Sequence, residues 1–173
     1  MTPEIYTPLD DEVIGSLKAG QFIHLSGPLY TARDAAHKKL VTLIEEGRPL
    51  PFPFEGQAVF YAGPCPAPPG KVIGSVGPTT GGRMDAYSPV LMAHGLKVMI
   101  GKGERSDAVI QAIKRFKGLY LTAIGGAAAL TARCVKEARV IAFKELGTEA
   151  VRLLTVEKLP LYVAIDSKGD LAL

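Results

Sequence analysis

The sequence has only two cysteines, Cys65 and Cys134, and three histidines, with no C-x-x-C and no histidine cluster near either thiol. That scarcity argues against a metal site held by this chain alone, since closed zinc or iron-sulfur sites need three or four well-placed thiolates or imidazoles. The two thiols read as reduced, structural cysteines of an intracellular protein, with a disulfide between them left open. A membrane segment is lacking too. The most apolar uncharged run, Gly118 to Ala132, is 15 residues long and broken by Gly125-Gly126, too short to span a bilayer. Met1 to Glu12 is acidic and polar, without the basic and apolar regions of a secretory signal, so export is not implied and a cytoplasmic location is expected. There is no block of one charge: 20 basic and 17 acidic residues give +3, spread along the chain, which argues against a nucleic-acid partner. No internal repeat, low-complexity tract or G-x-x-x-x-G-K-[ST] loop occurs.

What remains is an ordinary globular composition, 47% hydrophobic and 21% charged over 173 residues. This is enough for one packed domain, residues 1–173, and short for two. Gln21 to Gly27 reads as a strand ending in a turn. Thr31 opens a helix, with Asp34 completing a capping-box-like start, an apolar face of Ala35, Ala36, Leu40, Val41 and Ile44, and a stop at Gly47. Arg33 and His37, four apart, share a face of that helix. Arg48 to Gly70 is proline-rich around a strand-like Gln57 to Gly63, and Lys71 to Gly77 reads as another short strand. Ser88 at a cap with Pro89 at the first helical position starts a helix that Gly95 stops. The second half alternates: strand Leu96 to Ile100, helix Ser106 to Lys117, strand Leu119 to Ile124, a helix after Gly126, strand Val140 to Phe143. This pattern predicts an α/β fold with βαβ units on a parallel sheet. Ala150 to Leu173 reads as short strands with a turn at Ser167 to Asp170, so the sheet is mixed or a second small sheet is present.

The stretch with most chemistry is Gly77-Pro-Thr-Thr-Gly-Gly-Arg-Met-Asp85. Its glycines allow close backbone approach, and Arg83 offers a fork suited to a carboxylate or phosphate. A plain glycine-rich turn with a solvated arginine is the alternative. Gly101-Lys102-Gly103 is a second place with a cation at a strand's carboxyl end, where open α/β sheets bind ligands. With Ser106 it forms only an incomplete dinucleotide fingerprint. Arg33, Arg83 and Lys102 are either separate surface charges or a set converging on a dicarboxylate. Asp85 either holds Arg83 or starts the next helix in preference to acting as a base. His37 reads as an orienter of the site, a core residue or a surface residue; His24 and His94 read as structural, as does Gly125-Gly126.

Thr31-Ala-Arg-Asp-Ala-Ala-His37, Tyr61-Ala-Gly-Pro64 with Pro66 to Gly70, Gly77 to Asp85, and Ile100-Gly-Lys-Gly103 resemble, in order and spacing, the beta subunit of the class I, iron-sulfur-dependent fumarases and tartrate dehydratases. The resemblance runs from about Ile5 to Lys168. It implies a swivelling β/β/α domain and reversible loss of water from a 2-hydroxy dicarboxylate. It also implies a 4Fe-4S cluster carried by an alpha subunit rather than by this chain, and an alpha-two beta-two assembly. By the same resemblance Arg33 and Arg83 clamp the substrate carboxylates, Lys102 is a further cation beside the reacting carbon, and Thr79 takes the proton. A neutral hydroxyl is a poor base, and Arg83 and Lys102 would have to stabilise the alkoxide-like form. Fumarate hydratase is the first expectation, L-tartrate dehydratase the second, and a non-catalytic dicarboxylate-binding or regulatory module the third. The apolar surface around the proline-rich segment is the expected docking face for the alpha subunit.

Overall fold

A computed structural model describes residues 1–123 and 128–172. The chain runs β1 (Glu4–Tyr6), α1 (Asp11–Ser16), β2 (Phe22–Thr31), α2 (Asp34–Glu45), β3 (Ala58–Phe60), a 3-10 turn (Gly81–Met84), α3 (Ser88–Ala93), β4 (Val98–Gly101), α4 (Asp107–Phe116), β5 (Leu119–Ala123), α5 (Ala128–Cys134), β6 (Val135–Ala142), a second 3-10 segment (Lys144–Glu149) and β7 (Val151–Ile165). Strands β2, β3, β4 and β5 pair in parallel in that order. Strand β7 is antiparallel to both β5 and β2 and so closes a ring of pairings. β1 extends the ring beside β2 and β6 beside β7.

The short parallel strands β3, β4 and β5 are apolar throughout except for the buried Thr122, as expected of strands covered on both faces. Ala58, Phe60, Val98, Ile100, Leu119 and Leu121 join Ile23, Leu25, Leu161 and Val163 in the cluster inside the ring. The alternate residues Val59, Tyr61, Met99 and Tyr120 pack with Leu40 of α2, Leu91 of α3 and Val109 and Ile113 of α4 outside it. Each large apolar side chain fully buried this way contributes about 1.5–3 kcal/mol. Helix α4 begins as its sequence dictates. The Ser106 hydroxyl accepts from the Val109 amide at 3.4 Å, Asp107 occupies the first turn, and Lys114 and Arg115 the last, matching the helix dipole.

Several sequence expectations are corrected. Thr31 does not open a helix: it ends β2, and its buried Oγ1 accepts from the Arg152 amide at 3.1 Å. Helix α2 starts at Asp34 with Arg33 as an N-cap lacking a side-chain bond, and the free Ala35 amide is taken by Glu149 Oε1 at 3.2 Å. β2 does not stop at Gly27. The register shifts there, and Gly27, at φ 109°, has Thr7 where a Cβ would stand. Lys71 to Gly77 is not a strand; Pro64, Pro66, Pro68 and Pro69 opposite it supply no amides for a ladder, and the two segments meet through the Cys65 amide and the Ser75 carbonyl at 2.9 Å. Tyr87, not Ser88, is the N-cap of α3.

The βαβ pattern holds for β4–α4–β5 but already begins at β2–α2–β3, and β6 leaves the parallel set to pair with β7. The described residues form one mixed sheet of seven strands, and its last strand is 15 residues long rather than a series of short ones. Lys158, at φ 53°, forms a bulge in β7 and gives its amide to Ser26 Oγ at 2.9 Å, so the strand bends without ending. The turn at Ser167 to Asp170 is present. Gly125-Gly126 and the end of the expected Leu119 to Ile124 strand lie outside the described residues.

Candidate active site

The parallel strands β2, β3 and β4 end on one rim, and their ladders run on into the loops. The Ala32 amide donates to the Phe60 carbonyl at 3.0 Å and the Tyr61 amide to the Ile100 carbonyl at 2.8 Å. The segment Thr79–Gly81 is threaded into the same rim as a strap. The Thr79 amide donates to the Tyr61 carbonyl at 2.7 Å, the Lys102 amide to the Thr79 carbonyl at 3.2 Å, and the Gly81 amide to the Lys102 carbonyl at 2.7 Å. Thr79 and Lys102 are therefore backbone neighbours although 23 positions apart. The strap lies this close because of its glycines: a Cβ at Gly81 would collide with the Tyr120 hydroxyl and come within 2.9 Å of Arg105 Cδ, and one at Gly101 would sit 2.7 Å from the Tyr61 ring.

Arg33 at the start of α2 and Arg83 in the 3-10 turn meet through the carboxylate of Asp34, which the sequence pattern assigned to a capping box instead. Arg83 Nε donates to Asp34 Oδ2 at 3.0 Å, and Arg33 Nε is 3.8 Å from Asp34 Oδ1. The side chains remain open, 52% for Arg83, 27% for Arg33 and 32% for Asp34, so the ion pairs add little stability. Their effect is to hold two guanidinium groups on one side of the rim. Lys102 is exposed and Thr79 half-buried. All four sequence-chosen residues thus lie at the ends of β2, β3 and β4, in two pairs: Arg33 with Arg83 through Asp34, Thr79 with Lys102 through the backbone.

His37 is fully buried. Its Nδ1 is 2.8 Å from the Arg33 carbonyl; a carbonyl only accepts, so Nδ1 carries the proton and the imidazole steadies the backbone of Arg33. Burial pushes its pKa down from 6.5 to about 4, with the Arg33 carbonyl bond working the other way. Of its three readings, the surface one is excluded. Asp85 does not hold Arg83. Its Oδ1 accepts from Arg105 Nε at 2.7 Å and its Oδ2 from the Ser106 amide at 2.7 Å, so it serves the start of α4 rather than α3. Sequence reasoning missed Arg105, which stands among Glu104, Ser106 and Asp107 like any solvated loop charge. Only the burial of Tyr61 and Tyr120, both outward-facing on strands that helices cover, could have pointed to a cation beneath the strap.

Cys65 is exposed and Cys134 half-buried, both as free thiols. Among the described residues no three His, Cys, Asp or Glu side chains lie together as a metal site. With two thiols in the whole sequence, the donor set of this chain does not fit an iron-sulfur cluster. No described helix is long and apolar enough to cross a membrane.

A family model described as Fumarase C-terminus matches residues 4–172. Fumarate hydratase 2 of Leishmania major is 39% identical over 171 residues, covering 96% of this chain and 30% of that protein. The anaerobic class I fumarate hydratase of Escherichia coli K12 is 41% identical over 150 residues, covering 86% and 27%. The L(+)-tartrate dehydratase subunit beta of the same strain is 34% identical over 169 residues, covering 95% and 83%. The chain thus spans less than a third of the two fumarate hydratases and most of the tartrate dehydratase subunit. With the rim motifs in place and nearly every residue inside the match, this chain belongs to the Fumarase C-terminus family of the class I fumarate hydratases and L(+)-tartrate dehydratase beta subunits.

Proposed function

We propose that this chain forms, as one domain of the swivelling β/β/α kind, the beta part of a class I fumarate hydratase. Its active site is completed by an alpha partner that carries a 4Fe-4S cluster. The observation that carries the reading is the meeting of Arg33 and Arg83 across Asp34 beside the Thr79–Lys102 strap. The Arg83 bond to Asp34 uses Nε, which leaves both Nη groups to fork a substrate carboxylate. In the proposed reaction Arg33 and Arg83 hold the two carboxylates of (S)-malate, and Thr79 Oγ takes the proton from the methylene carbon. The electron pair left there forms the double bond as the neighbouring carbon releases its hydroxyl as hydroxide, for which the partner's cluster would supply a Lewis acid. Lys102 and Arg83 stabilise the negative charge that spreads onto the adjacent carboxylate as the C–H bond breaks. The same cations favour the alkoxide-like form of Thr79 that removing the proton requires.

L(+)-tartrate dehydration is the second reading, favoured by the tartrate dehydratase subunit beta, of which this chain covers 83%. Identities of 39% and 41% to fumarate hydratases against 34% to the tartrate dehydratase subunit support taking malate as the first reading. The test combines the chain with its cluster-bearing partner anaerobically and follows fumarate absorbance from (S)-malate, with L(+)-tartrate as the competing substrate. Turnover is expected only from the assembled pair, and Thr79→Ala should lower it about a hundredfold or more while assembly is unchanged. Turnover by this chain alone, or an active Thr79→Ala assembly, refutes the reading.

A further inference from the structure

Beneath the strap lies a cation that the proposed reaction does not use. Arg105 is 6% exposed, and its guanidinium is held from several directions. Nε donates to Asp85 Oδ1 at 2.7 Å, Nη2 donates to Ser88 Oγ at 2.8 Å, and Nη1 is 3.8 Å from Met99 Sδ. Its central carbon stands 4.7 Å from the Tyr120 ring centre and 5.2 Å from that of Tyr61, within cation–π range of both. Burial alone would lower its pKa, but Tyr61 and the Asp85 carboxylate outweigh burial and raise it, so the charge is permanent.

The position of this cluster gives it a consequence. Asp85 closes the 3-10 turn that follows Thr79–Gly81, and Arg105 stands three residues after Lys102. The strap and the Lys102 loop are joined above by the Gly81–Lys102 and Lys102–Thr79 backbone bonds and below by Arg105 and Asp85. Tyr120 adds a third tie, its hydroxyl donating to the Gly103 carbonyl at 3.1 Å. A buried ion pair is a weak source of stability compared with apolar residues of the same volume, while its directional bonds can fix a geometry. Arginine suits the task because its planar fork bonds in separate fixed directions, as the point charge of lysine does not.

We propose that Arg105 is a positioning residue that fixes Thr79 against Lys102, so that its loss is felt at proton removal rather than at substrate capture. The inference rests on the roles given above to Thr79 and Lys102. Capture is less affected because Arg33 is anchored on β2 and α2, and Arg83 is tied separately to Asp34.

The test uses the assembled enzyme carrying Arg105→Lys. Its kcat on (S)-malate should fall on the order of 30- to 100-fold, as for a displacement of about 1 Å, with KM within about threefold of wild type. The primary isotope effect with malate deuterated at the methylene should rise. A purely structural role lowers the active fraction and leaves the isotope effect alone. Tyr120→Phe removes a single tie and should lower kcat about three- to tenfold; it keeps the test open if Arg105→Lys does not fold. Arg115→Ala, an exposed change on α4, should leave kcat as it is. A second readout does not depend on turnover: in both tie variants the Gly81 and Lys102 amides should exchange with deuterium faster, and those of α2 as before. An unchanged isotope effect, a KM that rises in step with the fall in kcat, or unaltered exchange at Gly81 and Lys102 overturns the proposal. A wild-type assembly inactive on malate and tartrate instead overturns the functional reading, and the exchange result still decides the positioning role.

Discussion

Acid should loosen this fold through His37 in a way that can be separated from every other titrating group. The imidazole is fully buried, and its pKa stands at about 4 against an ordinary 6.5, so the folded chain keeps it neutral where the unfolded chain protonates it. Below about pH 6.5 the unfolded state therefore binds the extra proton. Stability is lost as pH falls from there toward 4, and below 4 this residue has no further effect. Linkage between those two values costs about 2 kcal/mol on going from pH 7.5 to pH 5. With a urea dependence of about 2 kcal/mol per molar, that is a midpoint lower by about 1 M. The assay is urea unfolding of wild type and His37→Asn at both pH values. Asparagine retains a donor near the place of Nδ1 and does not titrate, and carboxylates common to both proteins cancel in the difference of slopes. Wild type should lose about 1 M more than the variant on acidification. Midpoints that move in parallel refute the account. Because the folded chain keeps His37 neutral through that range, its Nδ1 bond to the Arg33 carbonyl holds until the chain unfolds.

Two further outcomes follow from the rim. Gly81→Ala places a methyl against the Tyr120 hydroxyl and Arg105 Cδ; it should cost about 1–3 kcal/mol and be read as a lowered Tm. Tyr120→Phe in the same chain should recover part of the loss, and strictly additive effects would count against the collision. Arg83→Lys removes the fork while keeping the charge. It should raise KM for the dicarboxylate about tenfold and leave kcat nearly as it was, whereas an unchanged KM in steady-state kinetics removes Arg83 from the clamp.

The sequence made the site more legible than the strands around it. Glycine, threonine, arginine and lysine at strand ends are local signals, and Arg33, Thr79, Arg83 and Lys102 all came to one rim. What stayed hidden were partners set by distance along the chain. Asp85 could be paired with Arg83, two residues away, but its partner is Arg105, 20 positions on. Thr31 looked like a cap because its hydroxyl can serve an amide, yet the amide it serves belongs to Arg152, 121 positions away. Ala150 to Leu173 read as short strands, whereas β7 runs unbroken from Val151 to Ile165. Ser26 taking the Lys158 amide and the bulge that follows let β7 continue and pair with β2 along most of its length. No periodicity within that segment records its neighbours.

The cations of the rim fall into two kinds, and the difference bears on how the site is completed. Arg33, Arg83 and Lys102 are open to water, where an opposite charge 4 Å away is worth about 1 kcal/mol. At an effective dielectric constant near 20 the same contact is worth about 4 kcal/mol. Under the proposed reaction these side chains must hold a dicarboxylate and favour an alkoxide-like Thr79, tasks that the aqueous value does not meet. A second surface that displaces water from the rim raises all three interactions together without moving any residue of this chain. Arg105 needs no such cover, being already desolvated and fully paired. On the proposed reading an alpha partner would supply that dry medium for Arg33, Arg83 and Lys102, while the backbone bonds between Thr79 and Lys102 are made within this chain.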